Sequence, residues 1–321
     1  MELLEALKHP DRVLRGKALE RCIPLLAEDR RVRAAVIEMA EKDESTGLRY
    51  RAIRALERFR VIEAQEVLAR IARAEWGDVA DAAVEALAEF DTPDSVRALA
   101  VVARQNASDL VRRKAAFCLG CTRHVEFAVE ALKQVLVDRS ETVREAAVIS
   151  LGTLGGDRAV ALLGAHLALE RDHRMLLTTI KALGCSKTLS AQYYLLQVLS
   201  HWRGDAELEA ATAEALGAVG DRRAFPALLE LSRSRDLPVY LAAKRAMGRI
   251  VARHECFDLL LEHRHLMISL VDGMLEELKG RSLSPQMLRF LILVRQTLRH
   301  TNNSTREIDA LLQQADCERE K

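Results

Sequence analysis

Apolar and polar residues alternate along this chain with the period of a helix, and that helical pattern itself recurs. In residues 139–156, R-S-E-T-V-R-E-A-A-V-I-S-L-G-T-L-G-G, the side chains of Val143, Ala147, Ser150, Leu151 and Leu154 fall on one helical face. The face is made of small residues, so a second helix can approach closely. Written as V-R-x-x-A-A-x-A-L-G, the pattern returns from Leu48, Val79, Val111, Met175, Leu208 and Val239. Its anchors Leu56, Leu87, Leu119, Leu151, Leu183, Leu216 and Met247 are spaced 31, 32, 32, 32, 33 and 31 residues apart. Such a period identifies a repeat array, in which each unit buries its apolar face only against its neighbours. A degenerate first copy runs from Leu14, with Cys22 in the anchor slot 34 residues before Leu56.

A second amphipathic helix is predicted between successive copies, as in A-V-E-A-L-K-Q-V-L from Ala128 and A-F-P-A-L-L-E-L from Ala224. The junctions carry turn chemistry: Asp91-Thr92-Pro93, Gly156-Asp157 and Gly220-Asp221 place helix stops, caps and first-turn prolines in order. After His265 the period fades. Two further helices, more apolar than the repeats, are expected around residues 266–279 and 285–298, followed by a polar tail with a short last helix. Residues 1–264 therefore read as the repeat array and 265–321 as a C-terminal helical cap and tail.

These residues carry a family resemblance. Val111-Arg112, Val143-Arg144, the Ala pairs after them and the Leu-Gly pairs at 119–120, 151–152, 183–184 and 216–217 resemble the short HEAT-like repeats of phycobilisome lyases and many bacterial scaffold proteins. The resemblance spans about residues 10–264. It implies an all-α fold: a right-handed α-solenoid of about eight helix pairs closed by the C-terminal cap. It further implies that the Val-Arg helix lines the concave face and that its Arg ties neighbouring repeats. That slot holds Arg in copies one, two, four and five but Ala80, Leu176, Glu209 and Tyr240 elsewhere, so an unbroken ladder is not expected.

Composition agrees with a helical array. Hydrophobic residues make up 49% and charged residues 30%, while aromatics are 4% and prolines number six. The net charge of +1 selects neither nucleic acid nor membrane as a partner. The charge is uneven, however: residues 1–60 carry +3, residues 61–110 carry −6 and the rest +4. With no signal-like or membrane-spanning run, and with six cysteines expected as free thiols, the chain reads as cytoplasmic. Its Ala/Arg/Leu-rich usage points to a bacterial source.

Candidate chemistry is sparse. Cys118-x-x-Cys121 has the spacing of a redox or zinc pair, but the Cys118 slot holds Ala or Ser in the other copies, which assigns it to the core. His254-Glu255 is similar to the His-Glu pairs of the di-iron centre of deoxyhypusine hydroxylase; that family needs several such pairs and this chain has one. No phosphate loop, nucleophile elbow or zinc-protease motif occurs, so no catalytic residue, cofactor or metal is expected.

The x slots of the repeat carry the functional expectation. Phe117, Ile149 and Leu177 are apolar where the pattern expects polar residues. They are read as a contiguous strip on the concave face, flanked by Arg51, Arg54, Arg113 and Lys114. The expected role is a non-enzymatic scaffold or adaptor whose groove takes a helix or extended peptide of a protein partner, with no nucleic acid and no membrane. The alternatives are a bilin lyase-like enzyme, for which aromatic pocket residues are few, and a DNA-binding repeat protein, whose basic face the acidic third copy would interrupt.

Overall fold

A computed structural model describes residues 3–257, 259, 270–278, 281, 283–297 and 306–313. Among these every regular element is helical, with no strand. The chain divides into two compact units, residues 1–154 and 155–321.

In the first unit the helices pair in chain order. α1 (Leu3–Ala6) pairs with α2 (Arg12–Cys22), α3 (Arg30–Lys42) with α4 (Thr46–Arg58), and α5 (Gln65–Ala74) with α6 (Asp78–Phe90). α7 (Pro93–Gln105) then pairs with α8 (Asp109–Leu119), and α9 (Val125–Val135) with α10 (Glu141–Leu154). The second members α4, α6, α8 and α10 pack side by side in one layer, and α3, α5, α7 and α9 form the other. This is an α-solenoid, in which a connection of a few residues suffices because consecutive helices are antiparallel neighbours.

The second unit repeats the plan with α11 (Gly156–Leu169) and α12 (His173–Cys185), α13 (Ala191–His201) and α14 (Ala206–Val219), and α15 (Phe225–Leu231) and α16 (Leu237–His254). Among the described residues the two units together hold eight such pairs. Then follow α17 (Val271–Leu278) and α18 (Pro285–Thr297). α17 stacks on α16 as α16 stacks on α14, with Gly248 against the backbone of Leu270, Gly273 and Met274, Gly273 against the backbone of Arg245, and Arg253 bonded to Glu277 at 2.7 Å. The apolar run 287–294 is largely spent inside this cap: Met287, Leu288, Phe290, Leu291 and Val294 are buried, and Phe290 stacks on Phe257 at 4.7 Å. The start of the first expected cap helix, His263, His265, and tail residues 301–305 and 314–321 lie outside the described residues.

The repeat motif has a direct packing meaning. All seven anchors from Leu56 to Met247 are fully buried, as is Cys22. The small residues beside them set the helix spacing. A Cβ on Gly120 would lie 2.8 Å from the Cβ of Ser150 and 3.0 Å from its Cα. Gly184 meets Ala215 and Gly217 meets Ala246 in the same way. The Gly after one anchor thus faces the residue before the next anchor, which is why that slot is Ala, Ser or Cys. Ser150 satisfies its buried hydroxyl by donating to the Ala116 carbonyl at 2.9 Å. Two of the three expected junctions are capped as read: Thr92 and Ser95 form a reciprocal capping box behind Pro93, and Asp221 accepts the Arg223 N–H; at Gly156-Asp157, Gly155 is the N-cap instead, Gly156 opens α11 and no side chain caps it.

Between layers of the repeat, buried arginines hold one loop to the next. Arg112 donates from Nε and Nη2 to the two oxygens of Asp138 at 2.8 and 2.9 Å, and from Nη1 to the carbonyl of Asn106 at 2.9 Å. Asp138 also accepts the Ser140 N–H. Arg15 and Asp43 repeat the arrangement, at 2.7 and 3.0 Å, with Arg15 bonded to the carbonyls of His9 and Pro10 and Asp43 accepting the Ser45 N–H. Arg49 binds Glu75, and Arg144 binds the Asp138 carbonyl. Arg15, Arg49 and Arg112 therefore tie neighbouring repeats, as the resemblance implied, whereas Arg144 bonds within its own loop. Burial pushes the Asp138 carboxyl up, but the bonds from Arg112 and the Ser140 N–H, with the guanidinium charge, outweigh it and hold the group below its ordinary value.

Asp138→Ala is expected to cost about 3–5 kcal/mol at neutral pH, because it leaves the buried Arg112 guanidinium without a counter-charge, bonded only to its own loop's carbonyls. A depressed carboxylate contributes stability above its unfolded value, near 3.9, and loses it as pH falls through the folded value. The gap between the two urea midpoints should therefore be full at pH 7 and narrow below about pH 4; a gap that ignores pH would mean the pair is not the tie.

Candidate partner-binding surface

The outward face of the α4–α6–α8–α10 layer is organised by helical spacing. Its third x slot is filled in turn by Arg54, Glu85, Phe117 and Ile149. Phe117 is 41% and Ile149 40% exposed, and Arg54 and Glu85 are also half open to solvent. This row runs from charged at α4 and α6 to apolar at α8 and α10. The first slot holds Tyr50, Asp81, Arg113 and Glu145. The second is less open than the sequence reading expects. Ala82 and Ala146 sit there buried, because the slot faces the next helix of the layer wherever its side chain is small.

Leu177 lies on α12, in the second unit, and is half-buried. By the repeat alignment it occupies the slot of Arg113 and Glu145; the slot of Phe117 and Ile149 is filled on α12 by the exposed Lys181. The row in the first unit is therefore Phe117 and Ile149.

The basic residues expected at the rim are mostly spent within the chain. Arg54 meets Glu57 at 2.6 Å and Glu85 at 2.7 Å, Lys114 meets Glu85 at 2.6 Å and Asp81 at 3.5 Å, and Arg51 meets Glu20 at 2.7 Å. Acidic residues one repeat away sit at the same height on the neighbouring helix, so each long cation reaches across and finds one. Arg113 is exposed and has no ion pair among the described residues. Burial raises the Glu57 carboxyl above its ordinary value, helped by Glu85 and Glu89 and opposed by Arg54. Desolvation would lower the Lys114 ammonium, but its bond to Glu85 and the charge of Asp81 prevail and raise it.

The sequence reading passed over Trp76. It stands 80% exposed in the turn between α5 and α6, beside Tyr50. A tryptophan immediately before the Gly-Asp start of a helix, outside any apolar period, was the available signal.

Burial pushes the Cys118 thiol up to about 12, which keeps it protonated at neutral pH, as suits a packed side chain. His254 Nε2 lies 3.2 Å from the Gly220 carbonyl. Among the described residues no group of three or more His, Cys, Asp or Glu side chains is placed to hold a metal ion. Nor is any described helix long and apolar enough to cross a membrane.

Family comparison matches HEAT repeats to residues 1–88, 34–120 and 96–184, and the PBS lyase HEAT-like repeat to residues 209–234. No curated protein matches the sequence. Among solved structures, the chain is similar to the complex of CpcE and CpcF of phycocyanin lyase from Nostoc sp., at 21% identity over 70% of this chain and 94% of that one, with a TM-score of 0.41. It is similar to human deoxyhypusine hydroxylase at 20% identity over 77% of this chain and 94% of that one, TM-score 0.35. It is also similar to a Kap95p–RanGDP complex chain at 12% identity, over 98% of this chain and 50% of that one, TM-score 0.46.

The assignment of Cys118 to packing is open to a direct check. Cys118→Ala should leave the melting temperature nearly unchanged, and Cys118→Leu should overpack the slot by about 1–3 kcal/mol. Stoichiometric zinc in the purified protein that disappears with Cys118→Ala would overturn the assignment.

Proposed function

We propose a non-enzymatic, protein-binding scaffold role, starting from the fact that this chain belongs to the HEAT-repeat family. The observation that carries the reading is the pair Phe117 and Ile149, two large apolar side chains in equivalent slots of adjacent helices, each about two-fifths exposed. A helix or extended peptide laying its apolar face across α8 and α10 would bury both. Aromatic and aliphatic anchors in the middle of a contact are where binding energy concentrates. Arg113 and Arg51 at the edge would act chiefly on association rate and salt dependence. Because Arg54 and Lys114 are paired internally, the face offers little net positive charge to a phosphate backbone, which favours a protein partner over nucleic acid. A cytoplasmic setting suits the free thiols Cys22, Cys118, Cys121, Cys185 and Cys256. The proposal invokes no cofactor and no membrane.

The test pairs Phe117→Ala with Ile149→Ala, and makes Leu177→Ala separately because it belongs to the other unit. A partner recovered from the native host should bind each single variant roughly 30-fold weaker and the double variant roughly 1,000-fold weaker, about 2 kcal/mol per hot-spot residue, with helicity and melting unchanged. Undiminished affinity would remove this surface from consideration. The competing lyase reading has its own signature: purified protein carrying visible tetrapyrrole absorbance would replace the scaffold role.

A further inference from the structure

A second surface of the first unit is built differently from the apolar row. Between α4, the α5–α6 turn and α6 lies an open cleft of about 920 Å³, walled by Tyr50 and Trp76 and edged by Glu75, Asp78, Asp81 and Glu85. We propose that this cleft is a docking site for a Lys- or Arg-bearing segment of a protein, separate from the Phe117–Ile149 row.

The aromatic wall is held in place. Gly77, at φ +73°, turns the chain directly after Trp76 with no side chain of its own in the way. Buried Asn106 donates from Nδ2 to the carbonyls of Ala72 and Glu75, both at 2.8 Å, clamping the residues just before Trp76. On the other side Arg49 binds the Glu75 carboxylate and donates to the Ala40 carbonyl. The turn that carries the exposed indole is thus fastened from two neighbouring repeats, so little ordering cost remains for a ligand to meet. Four-fifths of the Trp76 surface faces solvent, an apolar area that gains by being covered.

The charge decides which partner fits. Four carboxylates edge the cleft against the single ammonium of Lys114, within the segment 61–110 that carries −6. Glu75 is paired with Arg49, and Asp81 and Glu85 share Lys114, with Arg54 also on Glu85. Asp78 has no ion pair among the described residues. An incoming cation therefore meets one unpaired carboxylate and two that share a lysine, beside two aromatic faces. Carboxylates and aromatic faces both attract ammonium and guanidinium groups. A phosphate backbone or an anionic lipid surface would be repelled. The cleft is also at the upper end of the volumes that hold drug-sized ligands, which fits a peptide segment better than one small cation.

The experiment uses the full chain carrying Trp202→Phe, so that Trp76 is the sole tryptophan reporter, and titrates it with hexalysine. Trp76 emission should change saturably at low salt, with affinity falling as salt rises. Tyr50→Ala should weaken binding by about tenfold or more, and Asp78→Asn with Asp81→Asn likewise. Lys114→Met should tighten it, because hexalysine no longer competes for Asp81 and Glu85. Hexaglutamate should have no effect. Phe117→Ala with Ile149→Ala should leave the titration unchanged, so this site and the scaffold reading can fail separately. The proposal is overturned if hexalysine leaves Trp76 emission unaltered. It is equally overturned if affinity is indifferent to Tyr50→Ala, which would mark diffuse polycation binding, or if an oligonucleotide or anionic vesicles perturb Trp76 instead.

Discussion

The approach of the second helix of one repeat to that of the next at near-backbone distance is the constraint on which this structure rests. Gly120 against Ser150, Gly184 against Ala215 and Gly217 against Ala246 leave no room for a further methyl group. Close packing of this kind lets the large anchors beside it, Leu119 and Leu151 among them, bury completely. It also explains the composition. An array that stacks its helices on small residues is rich in Ala and poor in aromatic residues, and each added repeat supplies the neighbour that the previous one lacks.

Stacking at small residues is slippery, since apolar faces of similar width can slide. The buried Arg–Asp ties give direction to the contact. Arg112 reaches two carbonyls in its own loop and a carboxylate in the following one, so it fixes the distance between successive turns. Arg15 with Asp43 does the same at the amino end. Pairs of this kind add less net stability than their geometry suggests, because both charges leave water. What they fix is the spacing between successive loops, which the bonds of Arg112 and Arg15 span.

The small residues go to the core and three motif arginines to the ties, which leaves the outward side chains of the α4–α6–α8–α10 layer for the proposed recognition role. Two surfaces of opposite character result in the first unit. One is apolar, Phe117 and Ile149; the other is aromatic and acidic, around Trp76. Both stand on helices or on a turn clamped by neighbours, the rigid placement that a recognition surface needs. Between them runs the Arg54–Glu85–Lys114 network, which neutralises charges that would otherwise repel along the row.

Much of this was legible in the chain alone, because a repeat writes the same physical requirement again and again. A spacing near 32 residues located the anchors, the Gly and Ala beside them announced close helix contact, and Thr92-Pro93 and Gly220-Asp221 marked the junctions. The Arg slot was visible too, but not its partner: Asp138 and Asp43 lie in loops, outside any period, and only folding brings them to Arg112 and Arg15. For the same reason the sequence offered Arg54 and Lys114 as free rim cations. Their carboxylates stand one repeat away, on helices whose relative height no linear pattern states. Leu177 looked like a member of the strip because it is apolar in an adjacent copy, whereas one helical turn separates its slot from that of Phe117 and Ile149. Trp76 was overlooked because periodicity weighs helix faces and is silent about turns; the bonds from Asn106 and Arg49 that fix its turn depend on tertiary contacts across 26 to 34 residues. Local period determined what is buried, since burial repeats with the helix. The pairing of charges and the placing of exposed aromatics were decided by the stacked structure, which sets distances between residues that the chain keeps far apart.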